Sequence, residues 1–163
     1  MSANVGDFQI FVNVYSLANP AFCSYLLCVS LLVLKMMGTI LLIVYHRMTT
    51  KSFISEEDAV WQRGDTAPNE KVERVRRALM NDLENIIMFL FMSLAYLSVR
   101  PPLWVVNLLL AIFLVSRVLH TFFYAMFVVR QPVRAILWTI GFIITGYMAA
   151  HTALYLLING YIF

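Results

Sequence analysis

The sequence predicts an all-α fold, a polytopic membrane four-helix bundle forming a single domain over residues 1–163. Three observations predict it. The chain is 61% hydrophobic and only 13% charged, with a mean hydropathy of +0.79, far outside soluble globular usage. Its apolar residues fall into four runs, each long enough to approach or cross a ~30 Å hydrocarbon core. The polar residues collect between those runs, in a loop over 47–71 and at the tight stops Arg100-Pro101-Pro102 and Gln131-Pro132.

Residues 1–19 are weakly amphipathic through Phe8, Ile10, Phe11, Val12 and Tyr15, which suits an interfacial segment before Pro20. They carry no Lys or Arg, so no basic region of a signal peptide is visible, and targeting is expected to come from the first span. That span is predicted over about 21–46, interrupted by Lys35 near its middle. Cys23 and Cys28, five apart within it, stand too far apart on a helix to bridge and read as packed thiols. The loop over 47–71 carries Glu56-Glu57-Asp58, Gly64 and Pro68 and shows no helical periodicity. The second span is predicted over about 72–99 and the third over 103–129. The third places Arg117, His120, Thr121 and Tyr124 within a ~100° arc. The fourth, over 132–159, starts with Pro132 at the favoured first position, with Arg134 in its first turn and Trp138 one turn on. An uncharged aromatic tail, Tyr161-Ile162-Phe163, follows.

Four spans put both termini on one side. Of the twelve Lys and Arg, nine flank the first and third connections: Arg47, Lys51, Arg63, Lys71, Arg74, Arg76, Arg77, Arg130 and Arg134. Arg100 alone lies at the opposite end. The positive-inside rule makes those two loops cytosolic and both termini lumenal. The surplus of +3 is thus a matter of topology, and no nucleic-acid motif accompanies it.

The chemistry concentrates at the start of the second span. Here the charged block from Glu73 to Glu84 runs without Gly or Pro into Asn85–Val99. The uncharged part covers only ~22 Å, so its polar turns reach the membrane or its interface, where ionisable groups are expensive and usually functional. Glu73, Arg77, Asn81 and Glu84 share a ~80° arc, and Asp82 points elsewhere. A blander reading of Glu73, Arg74 and Arg76 is a solvated helix end, with Glu73–Arg77 as an i,i+4 ion pair. Lys35 and Arg117 balance Asp82 and Glu84 in number, and the simplest use of Lys35, Asp82 and Arg117 is a structural charge network locking the helices together. Asp82 is expected to pair with Lys35 or Arg117, from its own or a neighbouring subunit.

The cations Arg47, Arg77 and Arg134, with Asn81, Glu84, His120 and Tyr124, all lie toward the cytosolic end. Together they suit a small zwitterionic ligand with several carboxylates, leaving the lipid side open to an apolar second ligand. His46, His120 and His151 are scattered, so no metal site is expected. No serine or cysteine nucleophile with a neighbouring base is apparent.

Several blocks then carry a resemblance. Glu73-Arg74-Val75-Arg76-Arg77-Ala78 followed by Asn81-Asp82-Leu83-Glu84-Asn85-Ile86-Ile87 closely resembles the signature of the MAPEG family of membrane glutathione enzymes. Val33-Leu34-Lys35-Met36, Glu57-Asp58-Ala59, Arg117-Val118-Leu119-His120-Thr121 and Pro132-Val133-Arg134 match further blocks in the same order, so the resemblance covers roughly Ala21 to Trp138. It is strongest toward the microsomal glutathione S-transferase type 1 branch, with the prostaglandin E synthase branch next. The resemblance implies a homotrimer in the endoplasmic reticulum membrane, or also the mitochondrial outer membrane, with glutathione as co-substrate between subunits. The implied glutathione-binding positions are Arg47, Arg77, Asn81, Glu84, His120, Tyr124, Arg134 and Trp138. The Arg and Asn positions would hold its carboxylates, Glu84 its amino group, and Arg134, the implied catalytic residue, its sulfur. A free thiol, with a pKa of ~8.5, is mostly protonated at neutral pH, and a fixed cation favours the thiolate.

The implied activity is conjugation of glutathione to lipophilic electrophiles, or reduction of lipid hydroperoxides, in the phospholipid bilayer. Several positions depart from the family pattern. Leu79 and Met88 replace a usual His and Pro. Met80, Ala135 and Trp138 replace an Arg, a Ser and a phenol of the synthase branch, which weighs against prostaglandin E synthase-like isomerase chemistry. Ala59 replaces the reactive Cys of mammalian type 1 transferases. A non-enzymatic lipid-presenting scaffold is the other family reading, and Asn81, Glu84 and Arg134 together weigh against it. A channel or transporter lacks a broken-helix or repeat signature.

Overall fold

A computed structural model describes residues 13–127, 129 and 131–160. It is all-helical, with no strands among the described residues and a single isolated bridge, Ser52 to Asp65. Helix α1 (Pro20–Thr50), helix α3 (Glu70–Ser98), helix α4 (Leu103–Thr121) and helix α5 (Val133–Ile158) are the long apolar rods; α4 continues through a π turn, Phe122–Met126. All four are long and apolar enough to cross a membrane, with α4 counted together with its π turn. Residues 1–12, Val128, Arg130 and 161–163 lie outside the described residues. So do most of the expected interfacial segment (Phe8, Ile10, Phe11, Val12) and the tail Tyr161-Ile162-Phe163.

Each rod follows from its sequence. Asn19 caps α1 by accepting from the Ala21 N–H at 3.0 Å, and Pro20 takes the first turn, where its missing N–H costs nothing. Ala21, Tyr25, Cys28, Leu32, Thr39 and Ile43 form the buried stripe of α1 at helical spacing. Both cysteines are free, Cys28 buried and Cys23 partly so. On α3, Val72, Val75, Ala78, Asp82, Asn85, Ile86, Phe89, Ser93 and Tyr96 are buried at the same period.

The rods pack in the circular order α1, α3, α5, α4, so the sequence neighbours α3 and α4 stand diagonally across the bundle. They meet through Phe89 and Phe113, stacked with ring centroids 3.5 Å apart. The stop Arg100-Pro101-Pro102 therefore spans the bundle instead of joining adjacent helices.

Three expectations need correction. α1 runs four residues past His46, to Thr50, and ends at Lys51 with φ 55°. The loop is not structureless: α2 (Glu56–Gln62) forms in it, capped by Ser55 and led by Glu56, Glu57 and Asp58, acids that favour a helix start. Gly64 closes that turn, since a Cβ there would stand 2.4 Å from the Lys51 carbonyl and 2.6 Å from the Phe53 ring. Finally, the third span does not stay α-helical to Val129; it turns π at Phe122, where the Phe127 N–H reaches back to the Phe122 carbonyl at 3.0 Å.

Candidate functional site

The polar residues of α3, α4 and α5 converge at one end of the bundle on a cleft with two lobes. The first, of about 340 Å³, lies along α3 between Glu73, Arg76, Arg77, Met80, Asn81 and Glu84, and is closed by His120 and Tyr124. The second, of about 400 Å³, lies at the start of α5, between Gln131, Arg134, Ala135 and Trp138. Asn81, His120 and Tyr124 line both, so the lobes are continuous. Each falls within the ~300–1,000 Å³ usual for small-molecule sites.

Seven of the eight residues expected to bind a ligand line this cleft: Arg77, Asn81, Glu84, His120, Tyr124, Arg134 and Trp138. Arg47 does not. It sits in the last turn of α1 and lines neither lobe, with its Nε buried and unpaired. Arg76, Glu73 and Gln131 line the cleft although the sequence reading gave them no role there; their signal, a charged or polar residue flanking a named one, was present but unspecific.

The π turn widens the helix by one residue at Tyr124 and brings its ring beneath Arg134, whose guanidinium carbon lies 4.8 Å from the ring centroid. The His120 ring packs beside Tyr124 at 5.8 Å. Trp138 stacks on Phe142 at 5.1 Å, and the exposed faces of these two rings continue the second lobe onto the apolar outside of the bundle. Pro132 caps α5 without a side-chain hydrogen bond, which leaves first-turn N–H groups beside Arg134 available to an anion.

Charge pairing on α3 differs from the expected pattern. Glu73 pairs with Arg76 at 2.7 Å, not with Arg77, which reaches two turns back to Glu70 at 2.8 Å. Behind the cleft, Asp82 is fully buried and uses one oxygen, Oδ2, for both Lys35 and the Thr121 hydroxyl, which itself lies against Lys35. All three residues belong to one chain. Arg117 takes no part in that pair; it donates to the Asn81 side-chain oxygen at 3.1 Å and to the Leu137 carbonyl at 3.3 Å. Glu84 is exposed and forms no ion pair among the described residues. The deep charges are therefore not a balanced four. Among the described residues, partly buried Lys35 and buried Arg117 face buried Asp82 alone, and the cleft has an excess positive charge behind it. Among the described residues no group of three His, Cys, Asp or Glu is placed to hold a metal ion.

The blocks that build this cleft decide the family. The family model described as "MAPEG family" matches residues 25–154, most of the chain. The chain belongs to the MAPEG family. Among curated MAPEG-type relatives, it is 37% identical over 135 residues to microsomal glutathione S-transferase 1 of Rattus norvegicus, covering 79% of this chain and 84% of that protein. It is 35% identical over 127 residues to prostaglandin E synthase of Homo sapiens, covering 77% of this chain and 83% of that protein. Microsomal glutathione S-transferase 1 of Bos taurus is 39% identical over 111 residues, 64% of this chain and 71% of that protein. The MAPEG match begins within α1 and ends within α5, so it contains every residue of the cleft.

Proposed function

We propose that this MAPEG protein is a membrane-bound glutathione transferase that conjugates glutathione to lipophilic electrophiles dissolved in the bilayer, and that it also reduces lipid hydroperoxides. The observation that carries the reading is the two-lobed cleft. A cation and an amide, Arg77 and Asn81, share one face of α3 with the exposed carboxylate of Glu84, and Arg134 stands beside an apolar wall. Glutathione fits that set chemically: two carboxylates for the donors, an ammonium for Glu84, and a thiol for the second lobe. Arg134 keeps its charge at any working pH, so it can stabilise a thiolate without titrating itself. The uncapped first turn of α5 adds to the same field. Trp138 and Phe142 then give an apolar electrophile a route from the lipid to the sulfur.

The same reading makes the chain a homotrimer of the endoplasmic reticulum, with both termini lumenal and the loops around 47–71 and 127–132 cytosolic. Arg47, which does not line the cleft of its own chain, would then serve the cleft of a neighbour. Isomerisation of a prostaglandin endoperoxide is the second reading, supported by identity to prostaglandin E synthase nearly equal to that to the transferase. Met80, Ala135 and Trp138, which all line the cleft, favour the transferase. Purified protein in lipid should bind glutathione and turn over chlorodinitrobenzene; lipid hydroperoxide and prostaglandin endoperoxide, assayed in parallel, rank the chemistries. Failure to bind glutathione would remove the proposal, and isomerase turnover exceeding conjugation would replace it with the second reading.

A further inference from the structure

Arg117 is completely buried, and the neighbouring carboxylate, Asp82, is engaged by Lys35 and Thr121. Its guanidinium therefore enters the protein interior without an ion pair among the described residues and spends its N–H groups on neutral oxygens, Asn81 Oδ1 and the Leu137 carbonyl. A guanidinium has donors and no acceptor, so the Asn81 amide can meet it only through oxygen. That fixes the amide. Nδ2, with two N–H donors, is left for the cleft, and Asn81 lines both lobes.

Arg117 is itself held in place. Its guanidinium carbon lies 6.0 Å from the Phe113 ring centroid. Gly141 of α5 faces both groups, since a Cβ there would stand in ordinary contact, 3.4 Å, with Arg117 Nε and the Phe113 ring. Glu84 follows Asn81 by one helical turn, a spacing at which a donor and a carboxylate can converge on the two charged groups of one amino-acid head.

We infer that Arg117 is a positioning residue: it locks Asn81 as a double donor for the α-carboxylate of the γ-glutamyl head of glutathione, and its unpaired charge stands behind that carboxylate. The inference rests on the cleft being a glutathione site. It gives the cleft its preference for an α-amino acid head over a plain amine, a selectivity set by a residue that never touches the ligand.

Equilibrium binding to the full-length protein in lipid nanodiscs tests it, using glutathione and an analogue whose γ-glutamyl α-carboxylate is replaced by hydrogen. A charge-assisted hydrogen bond is worth enough that the wild type should prefer glutathione by roughly ten-fold or more. Arg117→Met should erase most of that preference by weakening glutathione while leaving the analogue nearly unchanged. Asn81→Asp keeps the oxygen that Arg117 needs and removes the donors, so it should lose the same preference without loss of thermal stability. Equal weakening of both ligands in Arg117→Met, or a preference intact in Asn81→Asp, overturns the inference. If Arg117→Met does not assemble, Asn81→Asp decides: a preference lost with thermal stability retained supports the inference, and an intact preference overturns it. A wild type that binds neither ligand would sink the glutathione reading itself, so the two failures are distinct.

Discussion

The two ends of the bundle use the same four rods for opposite purposes. At the end away from the cleft, the buried polar groups are neutral, and Arg100 is exposed. Tyr15 shares a hydrogen bond with Ser98 at 2.6 Å and donates to the Leu94 carbonyl; Tyr25 donates to the Leu90 carbonyl; Tyr96, His151 and Tyr147 pack ring against ring. Among the described residues, its buried atoms without a partner, His151 Nδ1 and Thr152 Oγ1, belong to an imidazole and a hydroxyl. At the cleft end the bare buried atoms are Arg47 Nε, Asp82 Oδ1, Arg117 Nε, His120 Nδ1 and Arg134 Nε, almost all on charged groups. Leaving charged groups under-satisfied costs more than leaving neutral ones so. Stability alone would not place them there, and a ligand that reaches the two that line the cleft, on His120 and Arg134, repays part of the cost on binding. One end is thus built to hold and the other to receive.

The largest expected effect comes from removing the centre of the charged end. Asp82→Ala strands Lys35 inside the bundle and should cost about 3–5 kcal/mol, the usual penalty for breaking a buried pair. Thermal unfolding in detergent measures it, and a variant as stable as wild type would make the buried ions incidental. Next is Arg134→Ala, which should still fold and bind glutathione through Arg77, Asn81 and Glu84. Its turnover should fall by about 10- to 1000-fold, about 1.4–4 kcal/mol of transition-state stabilisation. The sign follows from charge: a cation lowers the pKa of a bound thiol, so its loss raises that pKa toward the free ~8.5 and depletes thiolate at neutral pH. Ultraviolet absorbance of the bound thiolate, followed against pH, reads this directly. An unchanged titration would remove Arg134 from the mechanism.

The opposite end sharpens the contrast. Tyr15→Phe deletes one neutral hydroxyl and should cost about 0.5–1.5 kcal/mol of stability while kcat stays put. A change in kcat beyond experimental scatter would couple the two ends. The smallest effect is expected from thiol reagents. With Ala59 at the position of the reactive cysteine, and Cys28 buried, N-ethylmaleimide should leave activity unchanged. A several-fold rise that vanished with Cys23 or Cys28 would give the neutral end a regulatory role.

The rods were legible because a membrane imposes long apolar runs, and Pro20, Pro101-Pro102 and Pro132 punctuate them within a few residues of the observed ends. Six cleft residues, Arg77, Asn81, Glu84, His120, Tyr124 and Arg134, were legible as polar groups gathered on helix faces toward one end of the bundle, and Trp138 was added by the family resemblance. What depends on the neighbouring helix was not legible. Spacing along α3 could not tell whether Asp82 would meet Lys35 or Arg117, because that choice is set by the circular order of the rods. The π turn escaped because one extra residue per turn leaves no periodic mark in five residues. The small helix α2 escaped for a different reason: its Ser55 cap and three following acids were present, but seven residues carry too few apolar positions to show a period.

The pairing of Lys35 with Asp82 also bears on how the chain is made. Synthesis runs from the N-terminus, and Asp82 lies 47 residues after Lys35, with Thr121 86 residues after it. At ~5–20 residues per second, Lys35 exists for roughly 2–9 s before its carboxylate does. During that interval α1 must enter the bilayer with a lone ammonium near its middle, at ~2.5–3.5 kcal/mol on the insertion scale. The thirteen Leu, Ile, Val and Phe of Pro20–Thr50, at ~0.3–0.6 kcal/mol each, offset this by ~4–8 kcal/mol. Helix α1 is apolar enough to carry its cation into the membrane alone, and the partner that arrives later turns a tolerated charge into a fixed one.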